Sequence, residues 1–138
     1  MQHTFIELGQ AQQIADAAIQ AAQRAQLPIA IAITDPAGHL VLILRQDRAQ
    51  YFALDAALRK AVTAGGFRAP THGLAQWAQR DASFAAAFVG SSELTLLAGG
   101  LPIASGGAVI GGLGIAGGDG EQDRAIAEAA IAAFSQAA

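Results

Sequence analysis

Val109-Ile110-Gly111-Gly112-Leu113-Gly114-Ile115-Ala116-Gly117-Gly118 is the stretch on which the reading of this chain turns. From Gly112 to Gly117 it spells G-x-G-x-x-G, the dinucleotide-binding pattern. That pattern needs a preceding strand, a helix opening on the glycines, a second parallel strand and an acidic residue about 20 positions on. Here one helix follows, over 121–137, and the sequence then ends at Ala138. The helix also starts several residues beyond the third glycine, too late to offer its N-terminus to a pyrophosphate. The glycines instead mark a strand that either admits close approach of another backbone segment or carries a bulge.

Working outward, 93–98, 101–105 and 108–116 read as three strands, with Gly99-Gly100 and Gly106-Gly107 as tight hairpin turns between them. Near the N-terminus, Leu8, Ala11, Ile14, Ala15, Ala18, Ala22 and Ala25 recur at helical spacing over 8–26, and Pro28 ends that helix. Residues 29–34 alternate large and small apolar groups as a buried strand. Asp35-Pro36-Ala37-Gly38 is a turn, and His39–Arg45 is the returning strand. A helix over 50–64, with Phe52, Ala56, Ala57 and Ala61 along one face, stops at Gly65-Gly66. Residues 67–92 hold two short helices at most, capped by Thr71 and Asp81, with Trp77, Phe84 and Phe88 turned inward. The last helix buries Ile126, Ala130, Ile131 and Phe134. The expected architecture is α+β: a mostly antiparallel five-stranded sheet with packed helices, closed in a profilin-like way with the first hairpin beside the last.

At 138 residues the chain makes one domain. It is 53% hydrophobic and only 14% charged, against the usual quarter, so a homo-oligomer is expected to cover part of its alanine-rich surface. A net charge of −3 with no basic stripe argues against nucleic acid. There is no cysteine, which removes disulfides, thiol nucleophiles and thiolate metal sites. Met1-Gln2-His3-Thr4-Phe5 lacks a charged region leading into an apolar core, and no apolar run is long enough for a membrane. The expected location is the cytoplasm.

Several blocks together resemble the GlcG/HbpS-like family. They are Ile31–Leu40 ("IAVVDxxGxL"), Arg45-Gln46-Asp47-Arg48-Ala49 ("R-x-D-x-A"), Lys60–Ala64 ("K-A-x-T-A") and Phe67 with Pro70-Thr71. Gly99–Ile103 ("GG-x-P-I"), Val109–Gly118 and Glu121-Gln122-Asp123 ("E-Q-D") complete the series. The likeness covers essentially the whole chain. Ala116 departs from a frequent Ser, and Arg48 from a common Gly. The resemblance implies a small-molecule partner, with tetrapyrrole binding and haem as the candidate cofactor. It equally implies an enzymatic or auxiliary role on a small carboxylic acid in catabolism, and it implies homo-oligomers.

The histidines His3, His39 and His72 show no metal-ligand spacing. One histidine and an apolar slot suffice for an axial haem ligand, and His39, beside a turn, is the ligand-binding candidate. Arg45, Asp47, Lys60, Thr63 and Thr71 form the other group. Lys60 lies near an apolar helix face and needs a carboxylate or an anionic ligand. A structural pair of Asp47 with Lys60 or Arg45 meets that need. The functional alternative is an anion pocket in which Arg45 clamps a carboxylate, the backbone N–H groups of Gly99 and Gly100 complete the cradle, and a desolvated Lys60 with Asp47 carries catalysis. A third alternative is a structural subunit without a ligand. Ser91, Ser92 and Ser105 lie in no nucleophile elbow, and Asp35 and Glu93 are ordinary turn and edge carboxylates. Asp119, Glu121 and Asp123 suit the positive end of the last helix.

Overall fold

The computed structural model describes residues 4–137. His3, one of the three candidate histidines, lies outside them. The chain runs α1 (Leu8–Arg24), β1 (Ala30–Thr34), β2 (Leu40–Arg45), α2 (Ala53–Phe67), α3 (Thr71–Arg80), α4 (Ala82–Val89), β3 (Gly100–Ser105), β4 (Ala108–Ala116) and α5 (Gly120–Ala137). The fold is α+β. Its sheet has four strands in the order β2-β1-β4-β3, all antiparallel, so the first hairpin does lie beside the last.

The sheet has one small face and one large face, and this explains the alternation in β1. Ala30, Ala32 and Thr34 stand opposite Ala116, Gly114 and Gly112 of β4. On that face α2 lies directly on the strands. A Cβ on Gly112 or Gly114 would run into the carbonyls of Ala61 and Ala57, respectively. Close backbone approach is therefore the reason for the glycines, and a bulge is present as well, where Ile103 pairs with Gly111 but Ala104 with Val109. On the other face Ile31 and Ile33 pair with Ile115 and Leu113 and build the main core with α1 and α5. Three layers result, with helices on both sides of the sheet.

The expected fifth strand, 93–98, does not form. Its backbone donors are taken by side chains: Glu93 and Leu94 N–H by Ser91 Oγ, Thr95 N–H by Thr63 Oγ1 and Leu97 N–H by Thr95 Oγ1. Moreover β3 carries Pro102, which has no N–H and suits an edge strand. Gly99-Gly100 is accordingly not a hairpin turn but the point where the chain enters the sheet. Gly99 has φ +119° and its carbonyl accepts from Ile115 N–H, and Gly100 opens β3. Gly106-Gly107 is the expected tight turn, with φ of +59° and +80°.

Helix α2 does not stop at Gly65-Gly66. Gly65 lets the helix rest on Gly112, and the stop comes at Arg68, left-handed at φ +56°. The buried stripe of α2 runs through Ala53, Ala57, Lys60, Ala61 and Ala64, while Phe52 is exposed. Two short helices fill 71–89. Asp81 caps α4 by accepting from Phe84 N–H at 3.1 Å, as expected. Thr71 is not a cap: it is the first residue of α3 and its hydroxyl points to Gly100. Phe88 is buried, but Trp77 is 44% exposed and stacks on Phe84 with ring centroids 3.8 Å apart. Among the described residues no helix is long and apolar enough to cross a membrane.

Candidate functional site

The residues singled out from the sequence do not converge on one pocket. Lys60, Thr63, Thr71, Gly99 and Gly100 lie in the interior between α2, β3, β4 and α5. Lys60 is 3% and Asp123 2% exposed. The Lys60 ammonium donates to Asp123 Oδ2 and to Ile115 O, each at 2.9 Å, and Asp123 Oδ1 accepts from Gly118 N–H at 2.8 Å. The partner of Lys60 is thus Asp123, not Asp47 or Arg45. Asp123 lies in the first turn of α5 as expected and is in addition the carboxylate of this buried pair, and Asp119 caps α5 by accepting from Gln122 N–H. Such a pair is tolerated in the interior because each ion also has a backbone hydrogen bond beside the pair itself.

The neighbouring threonines are also committed. Thr71 Oγ1 accepts from Gly100 N–H at 3.0 Å, and Thr63 Oγ1 accepts from Thr95 N–H at 3.0 Å. The Gly100 N–H is therefore not presented to an anion. A Cβ on Gly99 would come 2.6 Å from Ile115 O, and one on Gly100 2.6 Å from Lys60 O. These glycines serve close packing around the ion pair.

Arg45 and Asp47 lie elsewhere, at the far end of β2. Arg45 Nη1 donates to Ala49 O at 2.7 Å and steadies the loop before α2. Both residues border a cleft of about 730 Å³ between that loop and the end of α1.

His39 stands at the opposite end of the β1–β2 hairpin. The turn before it is built by Asp35, whose Oδ1 accepts from Ala37 N–H and His39 N–H at 2.9 Å each. Asp35 Oδ2 lies 3.2 Å from His39 Nδ1. Burial pushes the Asp35 carboxyl up, but the hydrogen bonds from His39 and Ala37 outweigh it and hold the group below its ordinary value. The His39 side chain is 81% exposed. The tautomer with its proton on Nδ1 donates to Asp35 and leaves the Nε2 lone pair for a ligand. A hollow of about 390 Å³ opens beside it, bordered by His39, Leu40, Leu58, Arg59, Val62 and Glu93. A second hollow, of about 190 Å³, shares Ala37, Gly38 and Val62 with the first and extends it toward Phe67 and Leu94. Arg59 is aimed by Asp55, whose Oδ2 accepts from its Nε at 2.9 Å.

His72 is half-buried. Its enclosed Nδ1 has no hydrogen-bond partner among the described residues, and burial, helped by the Arg124 charge, pushes its pKa down against a smaller opposing effect of Glu128.

Sequence reasoning took Asp35 as an ordinary turn carboxylate, did not weigh Arg59, and placed Asp123 only as a charge at the start of the last helix. The turn at 35–38 and the demand of Lys60 for a carboxylate were signals for the first and last. Nothing in the sequence marked Arg59.

A family model described as "Haem degrading protein HbpS-like" matches residues 6–132. A 15.0 kDa protein of Citrobacter freundii from the dhaT–dhaS intergenic region is 34% identical over 132 residues, covering 95% of this chain and 93% of that protein. The crystal structure of Klebsiella pneumoniae protein ORFY superposes with a TM-score of 0.90 at 30% identity, covering 98% of this chain and 94% of that one. The crystal structure of a PduOC–haem complex superposes with a TM-score of 0.83 at 32% identity, covering 94% and 95%.

Proposed function

We propose that this chain, which belongs to the HbpS-like family, is a small-ligand-binding protein that takes up a haem-type tetrapyrrole between the β1–β2 turn and α2. The observation that carries the reading is the Asp35–His39 pair: a carboxylate 3.2 Å from Nδ1 of an exposed imidazole. Metal-ligating histidines characteristically have their second ring nitrogen fixed in this way. The donor set fits the group. His39 would ligate the iron, Leu40, Leu58 and Val62 would cover the macrocycle, and Arg59 would face a propionate. Haem would supply a redox-active iron; the chain's own part is to orient the imidazole and shield one side of the ring from water. The haem complex of PduOC, a protein of the same fold, supports the same ligand class.

The enzymic alternative, centred on Lys60, finds no exposed amine there, because the ammonium is buried against Asp123 and Ile115 O. The homo-oligomer remains part of the proposal: Val89 is 88% exposed on the almost wholly apolar helix α4, and Leu97 and Tyr51 are also exposed. Sedimentation equilibrium tests it, and a monomer at micromolar concentration would refute it.

Absorbance titration with haemin tests the ligand. Saturable binding with a defined Soret band is expected, with the band lost or displaced in His39→Ala and unchanged in His72→Ala. A His39→Ala protein that titrates like the parent would overturn the assignment.

A further inference from the structure

A second cleft, larger than the hollow beside His39, is present among the described residues. It lies at the other end of the β1–β2 hairpin, roughly 17 Å away along β2 at about 3.3 Å per residue. Its walls are polar: Gln23, Gln26, Arg45, Gln46, Asp47 and Arg48. Its base is apolar, with Leu27, Pro28 and Leu44, and its volume of about 730 Å³ is that of a small-molecule site.

Two of the lining residues are held in place by the fold. Gln46 is tied to Ile29 twice: its backbone N–H donates to Ile29 O at 2.9 Å, and its Oε1 accepts from Ile29 N–H at 3.0 Å. Arg45 is held by Ala49 O. The carbonyls at the end of α1, whose partial negative charge would repel an anion, are already satisfied: Ala21 O by Ala25 N–H, Ala22 O by Leu27 N–H and Gln23 O by Gln26 N–H.

Two further features single the cleft out. Of the three non-glycine residues with positive φ among those described, two line it from opposite walls: Gln26 at φ +56° and Arg48 at φ +72°. Gln26 takes this conformation as the residue after the Ala25 C-cap of α1, an ordinary helix end, so Arg48 alone of the two is left-handed without that reason. The Arg48 and Asp47 side chains also have no ion-pair or hydrogen-bond partner among the described residues, in a chain whose net charge is −3. Arg45 and Arg48 are exposed where they line the cleft, and two guanidinium groups there suit a carboxylate. Asp47 beside them accepts hydrogen bonds and calls for a donor on the same molecule.

We propose that the cleft between the end of α1 and the loop 46–49 is a second ligand site, for a small hydroxycarboxylate whose carboxylate meets Arg45 and Arg48 and whose hydroxyl donates to Asp47. The site is separate from the His39 face and does not depend on the haem reading.

Calorimetric titration with L-malate, succinate and uncharged malamide tests it on the full chain. Malate is expected to bind saturably, succinate more weakly and malamide not at all. Arg48→Gly relaxes the left-handed backbone, so the variant folds, and it should weaken malate binding about tenfold or more. Asp47→Asn should erase the preference for malate over succinate. Equal binding of malamide and malate, unchanged malate affinity in Arg48→Gly, or no binding by any of the three acids and amides would overturn the site. A preference that survives Asp47→Asn would overturn the hydroxyl contact.

Discussion

Lys60 Nζ and Asp123 Oδ2 meet at 2.9 Å with both side chains out of reach of water, and they join α2 to α5 across the end of β4. Removing one ion strands the other in the interior. Lys60→Met is expected to destabilise the fold by about 3–5 kcal/mol in urea unfolding. The double variant Lys60→Met, Asp123→Leu should recover much of that loss, since an apolar pair needs no compensation. A single-variant loss below about 1 kcal/mol would contradict a buried, tightly coupled pair.

The contact of α2 with β4 rests on the absence of a Cβ. Gly114→Ala would push a methyl group into the Ala57 carbonyl and should cost about 1–3 kcal/mol or more. Gly66, in the same helix, has nothing within 4 Å of its would-be Cβ and no left-handed φ. Gly66→Ala should therefore stabilise by up to about 1 kcal/mol through helix propensity. Opposite signs in paired thermal melts are the expected result.

Thr71 holds the start of β3 by accepting from Gly100 N–H at 3.0 Å, and its hydroxyl also donates to Gly100 O at 3.5 Å. Thr71→Val keeps the shape and removes the acceptor, leaving a buried N–H unpaired. A loss of about 1–3 kcal/mol is expected, with faster hydrogen exchange at Gly100.

His72 makes stability depend on pH near neutrality. Its folded pKa lies below the ordinary value of about 6.5, first through burial and then through Arg124. As pH falls, the unfolded chain takes the proton first. This contribution is whole above about pH 6.5 and is lost as pH falls through the folded value. His72→Gln should flatten that part of the pH–stability profile, as measured by denaturant midpoints across the range. A profile of unchanged slope would sink the idea.

Asp35 acts in a lower window. Its folded pKa is depressed by the N–H groups of His39 and Ala37, so its contribution is present above the ordinary carboxylate value and lost as pH falls through the folded one. Asp35→Asn should lower stability at neutral pH, remove that acid step and weaken haemin binding through the loosened imidazole.

Much of the fold could be read locally. The alternation Ile-Ala-Ile-Ala-Ile-Thr, the Asp35–Gly38 turn, Gly106-Gly107 and the apolar stripes of α1 and α5 each depend on neighbours a few residues away. The strand at 93–98 failed because its donors are captured by Ser91, Thr63 and Thr95 before any sheet partner reaches them. The site was less legible. Lys60 was recognised as needing a carboxylate and paired with Asp47, but any of the chain's 11 acidic residues satisfies a charge argument equally until the chain is folded.

The sequence by itself determined the class of fold, because periods of 2 and 3.6 and the φ preferences of glycine and proline are properties of short segments. It also narrowed the β4 glycines to a close backbone approach or a bulge, and both are present. Only the tertiary structure decided which carboxylate Lys60 would meet, 63 residues away, and that Arg45 and His39 would head two clefts rather than one. Burial and distance between remote residues are set by how the layers stack, and no local preference encodes them.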